Sequence, residues 1–319
     1  IVYSLREDGA YSSDIPTGTN AGTYTVWYKV VGDNNHNDVE PQSISVEVAK
    51  CKISISGFEI APKTYKNGDN TATVTEVTFA NLQNSENLVL DADFTAAAEF
   101  ENANAGTRSA TLTVTLSEGA KAENYELEKS TIEKEFTIAQ AEAPVLSNVS
   151  ESVTYGDNTQ KTVSVPAMPT DAGTLTYKEG STSTTNVDWS VGTDGTVKYK
   201  VSGANAGTAI TLPIKISSTN YEDTTVNVVI TIEKAAPSLE ITNRAALKRT
   251  YDGTSVAAEY TTNGDGVVTV EYYKDSAKLN AAPTDAGTYR VIVNLAEGTN
   301  YTAAQAEATF TIAERSIEG

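Results

Sequence analysis

The stretch Pro283-Thr284-Asp285-Ala286-Gly287-Thr288-Tyr289-Arg290-Val291-Ile292-Val293 decides the fold. Gly287 has no Cβ and tolerates a positive φ, so the chain is free to turn sharply there. From Tyr289 onward, large apolar residues alternate with other residues, and Tyr289, Val291 and Val293 therefore share one face. This period of two predicts a strand with one face in a core. The stretch thus predicts a sharp corner that leads into a half-buried strand.

The same corner recurs at three earlier places, as Asn20-Ala21-Gly22-Thr23-Tyr24, Asn104-Ala105-Gly106-Thr107 and Asn205-Ala206-Gly207-Thr208. Each copy is followed by a β-type run, then by an Asn with a ring residue after it, and then by a final apolar strand. The four pairs that begin with Asn are Asn35-His36, Asn124-Tyr125, Asn220-Tyr221 and Asn300-Tyr301. Self-similarity of this kind predicts a tandem array of similar β modules.

A fifth stretch, Pro169-Thr170-Asp171-Ala172-Gly173-Thr174, also reads as a corner. Its glycine lies much further from Tyr221 than Gly207 does, whereas Gly207 has the spacing of the first and last copies. We therefore interpret Gly207 as the equivalent of Gly287, and the stretch at 169–174 as an earlier turn.

These motifs resemble known patterns. A corner of the Asp-Ala-Gly-x-Tyr type before the second-last strand resembles the tyrosine corner of immunoglobulin-like sandwiches. Each complete repeat also has a signature turn near its start and a close of the Thr-Ile-x-Lys-Ala type. This wider pattern resembles the bacterial Ig-like repeats of the MBG type, which have Tyr-Gly-x and Tyr-Asp-Gly variants. The signature turns are Tyr65-Lys66-Asn67-Gly68-Asp69, Tyr155-Gly156-Asp157 and Tyr251-Asp252-Gly253.

The resemblance covers nearly the whole chain, and it implies cell-surface spacer or adhesin modules without catalytic residues. The chain departs from the pattern at two corners, where Arg108 and Ala209 replace the tyrosine. It also has Val26 and Val291 where antibody domains carry the second cysteine of their disulfide.

We predict an all-β protein of tandem Ig-like β-sandwich modules arranged as an extended rod. Short linkers that contain proline, such as Ala141-Glu142-Ala143-Pro144, leave little slack and favour a semi-rigid array. The first module lacks its opening strands, so we expect upstream residues or a neighbour to supply a strand. The predicted modules are residues 1–50 (incomplete), 51–140, 141–235 and 236–319. Helical periodicity is weak, with Asn81–Leu90 and Ala303–Ala308 as the two ambiguous windows.

The charge balance excludes some classes of partner. The chain has 42 acidic and 23 basic residues and a net charge of −19. A nucleic-acid binder needs a basic stripe, and the sequence has none, so we predict no nucleic-acid partner. The acidity favours a soluble extracellular chain, with cation binding as the alternative.

No apolar run approaches the roughly 20 residues of a membrane helix, and we predict no membrane insertion. A chain that begins without Met, and without a signal peptide or wall-sorting tail, indicates a piece of a longer protein.

Few residues suit catalysis. Cys51, the one cysteine, predicts a fold that does not depend on a disulfide, and we interpret it as a small core or linker residue. His36, the one histidine, takes the place of a repeat tyrosine, so we interpret it as a structural substitution in a loop rather than a catalytic base. No acidic pair breaks the repeat as a glycosidase pair would. We predict no catalytic, cofactor-binding or metal-binding residues.

Three weaker signals of binding or cross-linking also have structural explanations or depend on burial. Gly-Asp-Asn recurs at 32–34, 68–70 and 156–158. Its oxygens suit calcium, but turns require the same residues, and we favour turns. Trp27 and Trp189 are either packing residues or platforms for sugars, and we favour packing. A Lys–Asn isopeptide cross-link would need a buried Lys, Asn and carboxylate, which sequence alone does not reveal.

The sequence therefore favours a non-catalytic spacer or display stalk in a bacterial surface protein, extracellular and monomeric. One alternative is an adhesin whose modules bind a host or dietary glycan or a protein on a host or neighbouring cell. Another is an accessory region of a secreted polysaccharide-degrading enzyme.

Overall fold

The computed structural model describes residues 1–119 and 121–317, and it confirms an all-β protein of Ig-like modules. In this part of the chain the strands form seven sheets, and each sheet takes its strands from one of the four predicted modules. The chain divides into two compact units. The first unit is Ile1–Glu142 together with two short segments, Asp171–Gly173 and Thr219–Glu222. The second unit is the remainder of the described chain from Ala143 onward.

The first module is a single antiparallel sheet. Its strands are β1 (Val2–Ser4), β2 (Gly22–Lys29) and β3 (Gln42–Val48), in the order β1-β2-β3. The positive φ of Gly22, +150°, turns the chain into β2, as the corner predicts. Within the described residues no second sheet faces this one.

The second module is a two-sheet sandwich in the first unit. Its sheets have the orders β10-β4-β7 and β5-β11-β9-β8-β6. Alternate residues of facing strands fill the core, where Ile53, Phe94 and Leu112 are almost fully buried. The strands are β4 (Cys51–Ile60), β5 (Lys63–Thr64), β6 (Thr71–Ala72), β7 (Val74–Ala80), β8 (Phe94–Phe100), β9 (Gly106–Leu116), β10 (Tyr125–Leu127) and β11 (Thr131–Ala139), with a 3₁₀ turn at Ala122–Asn124 before β10.

The third module is a sandwich in the second unit, with sheets in the orders β12-β18-β17-β14 and β13-β16-β15. Its apolar positions alternate along β17 and β18, and Leu212, Ile214 and Val228 are fully buried. The strands are β12 (Val149–Thr154), β13 (Lys161–Ser164), β14 (Leu175–Glu179), β15 (Val187–Val191), β16 (Thr196–Val201), β17 (Ala209–Ser218) and β18 (Thr224–Glu233).

The fourth module, also in the second unit, has sheets in the orders β19-β21 and β20-β25-β24-β22-β23. Tyr289, Val291 and Val293 lie in its core, which confirms the face predicted from the alternation. Its elements are β19 (Leu239–Ile241), α1 (Arg244–Leu247), β20 (Arg249–Thr250), β21 (Tyr260–Thr262), β22 (Val268–Lys274), β23 (Ala277–Leu279), β24 (Gly287–Leu295) and β25 (Ala304–Ala313).

The two ambiguous windows are resolved without a helix. Ala303–Ala308 falls almost wholly in β25, whose alternate residues Ala308, Phe310 and Ile312 enter the core. Asn81–Leu90 is a loop of turns, in which Asn81, Asn84 and Ser85 have positive φ. Successive positive φ values are incompatible with a right-handed helix.

One edge is built alike in the three complete modules. The final strand of each, β11, β18 or β25, pairs on its outer side with a parallel strand, β5, β12 or β20. The tyrosine of the signature turn follows each parallel strand, and its N–H continues the ladder. Tyr65 donates to the carbonyl of Ala139, Tyr155 to Glu233 and Tyr251 to Ala313, each at 2.8 Å.

Candidate functional site: three repeated joints

The corner is locked by its own side chain. The Tyr24 hydroxyl donates to the carbonyl of Asn20 at 2.8 Å, and the Tyr289 hydroxyl donates to that of Asp285 at 2.9 Å. Both bonds reach four residues back, which is the geometry of a tyrosine corner. Arg108, which replaces the tyrosine in the second module, makes the same reach, because its Nε donates to the carbonyl of Asn104 at 3.1 Å. The departure at Arg108 therefore preserves the lock.

A deeply buried polar side chain, that of Asn220, lies where one of these corners meets an Asn-Tyr pair. Asn220 is only 1% exposed. Its Oδ1 accepts the backbone N–H of Ala105 at 3.0 Å, and its Nδ2 donates to Asn104 Oδ1 at 3.1 Å and to the carbonyl of Asp171 at 2.7 Å. All four residues belong to the first unit. A buried amide needs such partners, because leaving it unpaired is costly.

The same bond is made twice more. The N–H of Ala21 donates to Asn124 Oδ1 at 2.8 Å, and the N–H of Ala206 donates to Asn300 Oδ1 at 2.9 Å. In each case the alanine of an Asn-Ala-Gly corner is held by the asparagine of the Asn-Tyr pair that comes in the next repeat. We call these contacts the first joint (Ala21 and Asn124), the second joint (Ala105 and Asn220) and the third joint (Ala206 and Asn300). The first two lie in the first unit, and the third lies in the second unit.

Tyrosine pairs reinforce the second and third joints. Tyr221, next to Asn220, meets the signature tyrosine Tyr65 edge to face, with ring centroids 5.6 Å apart. Tyr301, next to Asn300, meets Tyr155 in the same way at 5.4 Å. Edge-to-face pairs at this separation are favoured by the ring quadrupoles. The signature tyrosine and the Asn-Tyr pair, which the sequence presents as separate motifs, are thus two halves of one contact.

A carboxylate completes the second joint. The Tyr65 hydroxyl donates to Asp171 Oδ2 at 3.0 Å, and the Tyr221 hydroxyl donates to the same atom at 3.1 Å. Burial, together with this carboxylate, raises the pKa of both hydroxyls. Both tyrosines are therefore neutral donors well above neutral pH. Asp171 belongs to the turn at 169–174, which the spacing correctly separates from the corners.

The linkers are hydrogen-bonded to the backbone of the Asn-Tyr pairs at the second and third joints. In the second joint, the N–H of Ala141 donates to the carbonyl of Asn220, and the N–H of Glu222 donates to the carbonyl of Ala141, both at 2.9 Å. At the third joint, Ala235 makes the same two bonds with Asn300 and Thr302. Each linker therefore runs as one rung of parallel strand beside an Asn-Tyr pair, which explains how so short a connection is held without slack.

The family of the fourth module follows from its sequence. Residues 241–316 match the family model of the MBG domain. The fourth module is an MBG domain. The resemblance seen in the signature turn, corner and Asn-Tyr pair is thereby confirmed in this module. The second and third modules share the parallel edge strand and the Asn-Tyr pair of this MBG domain.

Comparison with solved structures found other chains of tandem domains. The immunoglobulin domains 1–5 of Sidekick-1 are 12% identical, with 98% of this chain and 74% of that chain covered and a TM-score of 0.32. The titin I-band fragment I67–I69 is 10% identical, with 93% and 94% covered and a TM-score of 0.31. Cadherin domains 3–6 of protocadherin gamma B2 are 11% identical, with 92% and 84% covered and a TM-score of 0.31. The comparison with curated proteins found no match.

The Gly-Asp-Asn turns hold their carboxylates with protein groups. Asp157 Oδ1 accepts both the N–H and the hydroxyl of Thr159, at 3.0 and 2.7 Å, and Lys161 Nζ lies 2.8 Å from Oδ2. Lys161 first, and then Thr159, hold the pKa of Asp157 well below its usual range. Asp69 is bound in the same way by Thr71 and Lys63. In residues 1–119 and 121–317 no group of three or more His, Cys, Asp or Glu side chains is placed to hold a metal.

The remaining residues that the sequence singles out lie apart from the joints. His36 is exposed in a loop, with its Nδ1 2.7 Å from Asp33 Oδ1. Cys51 is half-buried at the start of β4 and its thiol forms no disulfide. Its backbone lies opposite Tyr125 in the parallel pairing of β4 with β10. Trp189 pairs across β15 and β16 with the buried Tyr199, which agrees with packing at a sheet edge. Trp27 is half-buried on β2. No helix in the described residues is long and apolar enough to cross a membrane.

Proposed function

We propose that the chain is a spacer or display stalk within an extracellular protein of a bacterial surface, and that it has no catalytic role. One observation carries this proposal: the chain builds the same joint three times, from the same two motifs. Neighbouring domains are ordinarily free to move when little surface joins them. A repeated hydrogen bond from a backbone N–H to an asparagine side chain, with a tyrosine pair at two of the joints, restrains that motion. A spacer needs this property.

The composition supports the extracellular part of the proposal. Tandem Ig-like modules, one of them an MBG domain, are typical of extracellular repeat proteins. A net charge of −19 favours solubility and discourages association between copies, so we propose a monomer. We also propose that the joints work without calcium, because Asp69 and Asp157 of the signature turns already have threonine and lysine partners. Adhesion to a glycan through Trp27 or Trp189 is less well supported, because both rings are half-buried.

Small-angle X-ray scattering tests the proposal. The wild-type chain is expected to show one long maximum dimension that is the same in chelator and in excess calcium. The double variant Asn220→Ala/Asn300→Ala is expected to keep its circular dichroism and to show a broader distribution of interatomic distances, because two joints are released. The matched control is Asn158→Ala, which changes an exposed asparagine of a signature turn. A compact wild-type particle, or a dimension that grows with calcium, would contradict the proposal.

A further inference from the structure

The sheet of the first module carries an apolar face that is open to solvent in the described part of the chain. Ile44 and Val46 of β3 are 56% and 42% exposed, and Leu5 and Ile15 beside them are 56% and 70% exposed. A shallow groove of about 260 Å³ crosses this face, and Val26 on β2 also lines it. So concentrated an exposed apolar patch marks an interaction surface, since scattered single residues would need no explanation.

The fourth module shows what this face is built to meet. β2 and β3 pair in the same register as β24 and β25, with Tyr24 opposite Val46 as Tyr289 is opposite Phe310. Val46 therefore corresponds to Phe310, which is 3% exposed in the fourth module. By the same register Ile44 corresponds to Ala308 and Val48 to Ile312, which are 7% and 2% exposed. The positions are equivalent, and only the cover differs.

The cover in the fourth module is its opening segment, residues 236–267. Ile241, Leu247 and Ala258 of this segment belong to the buried cluster that contains Phe310. The segment also supplies β20, which adds a parallel strand to the outer edge of β25. The second and third modules have the same parallel strand, whereas β3 is the edge strand of its sheet in the described residues. In the described residues the first module thus has neither the face cover nor the edge strand that the opening segment supplies in the fourth module.

We propose that the apolar face and the free edge of β3 together form the acceptor site for an opening segment of the MBG type. This segment has about the length of residues 236–267, with apolar residues at the positions of Ile241 and Leu247. Such a segment fits this face when it precedes Ile1, because Ser4 lies opposite Trp27 as Glu271 lies opposite Ile292. By that register Ile1 corresponds to Val268, the residue that directly follows the opening segment of the fourth module. A segment joined at this point enters the sandwich without any change of strand order.

A graft tests the proposal on the whole chain. Residues 236–267 are copied ahead of Ile1, and binding of anilinonaphthalene sulfonate and thermal unfolding are measured. The wild-type chain is expected to bind the dye, and the graft is expected to abolish most of the fluorescence. We also expect a rise of at least about 4 °C in the melting temperature of the first module, the shift that about 1 kcal/mol produces in a small domain. A control graft with Ile241→Asp and Leu247→Asp in the copied segment is expected to leave both readouts at their wild-type values.

Two results would overturn the proposal. Dye binding that is the same with and without the graft would show that the face does not accept an opening segment. A wild-type dimer by light scattering that persists when the graft is present would show that a second copy of the chain covers the face by another route. If the grafted chain does not fold, a synthetic peptide of residues 236–267 is added to the wild-type chain. Hydrogen exchange at the edge then decides: slower exchange of the Ala49 amide, which by register corresponds to Ala313 beside β20, supports the proposal, and unchanged exchange contradicts it.

Discussion

Asn220→Ala is expected to weaken the second joint by about 2 kcal/mol, which is the usual cost of leaving a buried polar group unpaired. The variant removes the acceptor of the Ala105 N–H and the donor to Asn104 and Asp171. Hydrogen exchange reports the loss most directly at Ala141, whose own bond to the carbonyl of Asn220 is not removed by the substitution. Its protection is expected to fall by about 30-fold, because about 1.4 kcal/mol corresponds to a factor of ten.

The comparison among joints sharpens this prediction. Asn124 and Asn300 are half-buried, so alanine at either position is expected to cost less than alanine at Asn220. Asn158→Ala, in an exposed turn, is expected to stay within about 0.5 kcal/mol of the wild type. Equal losses of protection in Asn220→Ala and Asn158→Ala would show that the hydrogen bonds of the Asn220 side chain do not hold the joint.

Phe310→Ala is expected to destabilise the fourth module by about 3–5 kcal/mol, as large-to-small changes in packed cores usually do. Phe310 is 3% exposed on β25, and its ring lies 5.8 Å from that of Tyr289. A domain of this size has only about 5–15 kcal/mol of stability, so a large part would be lost. Thermal unfolding followed by NMR measures the change module by module. Resonances of the second module are expected to keep their wild-type midpoint, because the second and fourth modules have separate cores.

Thr309→Ala is the matched control for Phe310→Ala, since Thr309 is the preceding residue of the same strand and points to solvent. It is expected to change the stability by less than about 0.5 kcal/mol. If Phe310→Ala instead lowered the midpoints of the second and fourth modules together, the modules would not be independent folding units.

The sequence predicts the corner well because the corner is local. Gly287, the tyrosine four residues after Asp285 and the alternation that follows all lie within one short stretch. Even the departure at Arg108 has a local explanation, since its guanidinium reaches the same carbonyl position as the tyrosine hydroxyl. The long strands also follow from their alternation, as in β24, where Tyr289, Val291 and Val293 share the buried face.

The joints are not predictable in the same way. Ala105 and Asn220 are 115 residues apart, and nothing near either residue announces the other. The sequence shows that Asn-Tyr, the Asn-Ala-Gly corner and the signature tyrosine recur in step, but recurrence alone does not show that they touch. Asp171 is harder still, because its stretch is interpreted as a turn and its carboxylate binds two tyrosines of different modules. The parallel strands β5 and β20 have two residues each, too few for any periodicity.

The most direct test of the account is the distance between two neighbouring modules across a joint. Spin labels are placed on Lys198→Cys in the third module and Ser276→Cys in the fourth, both exposed sites of the second unit, in a Cys51→Ser background. Pulsed electron paramagnetic resonance is expected to give one narrow distance distribution, which broadens when Asn300→Ala is added. A distribution that is already broad with Asn300 in place would contradict the claim that the third joint holds the third and fourth modules in a fixed relation.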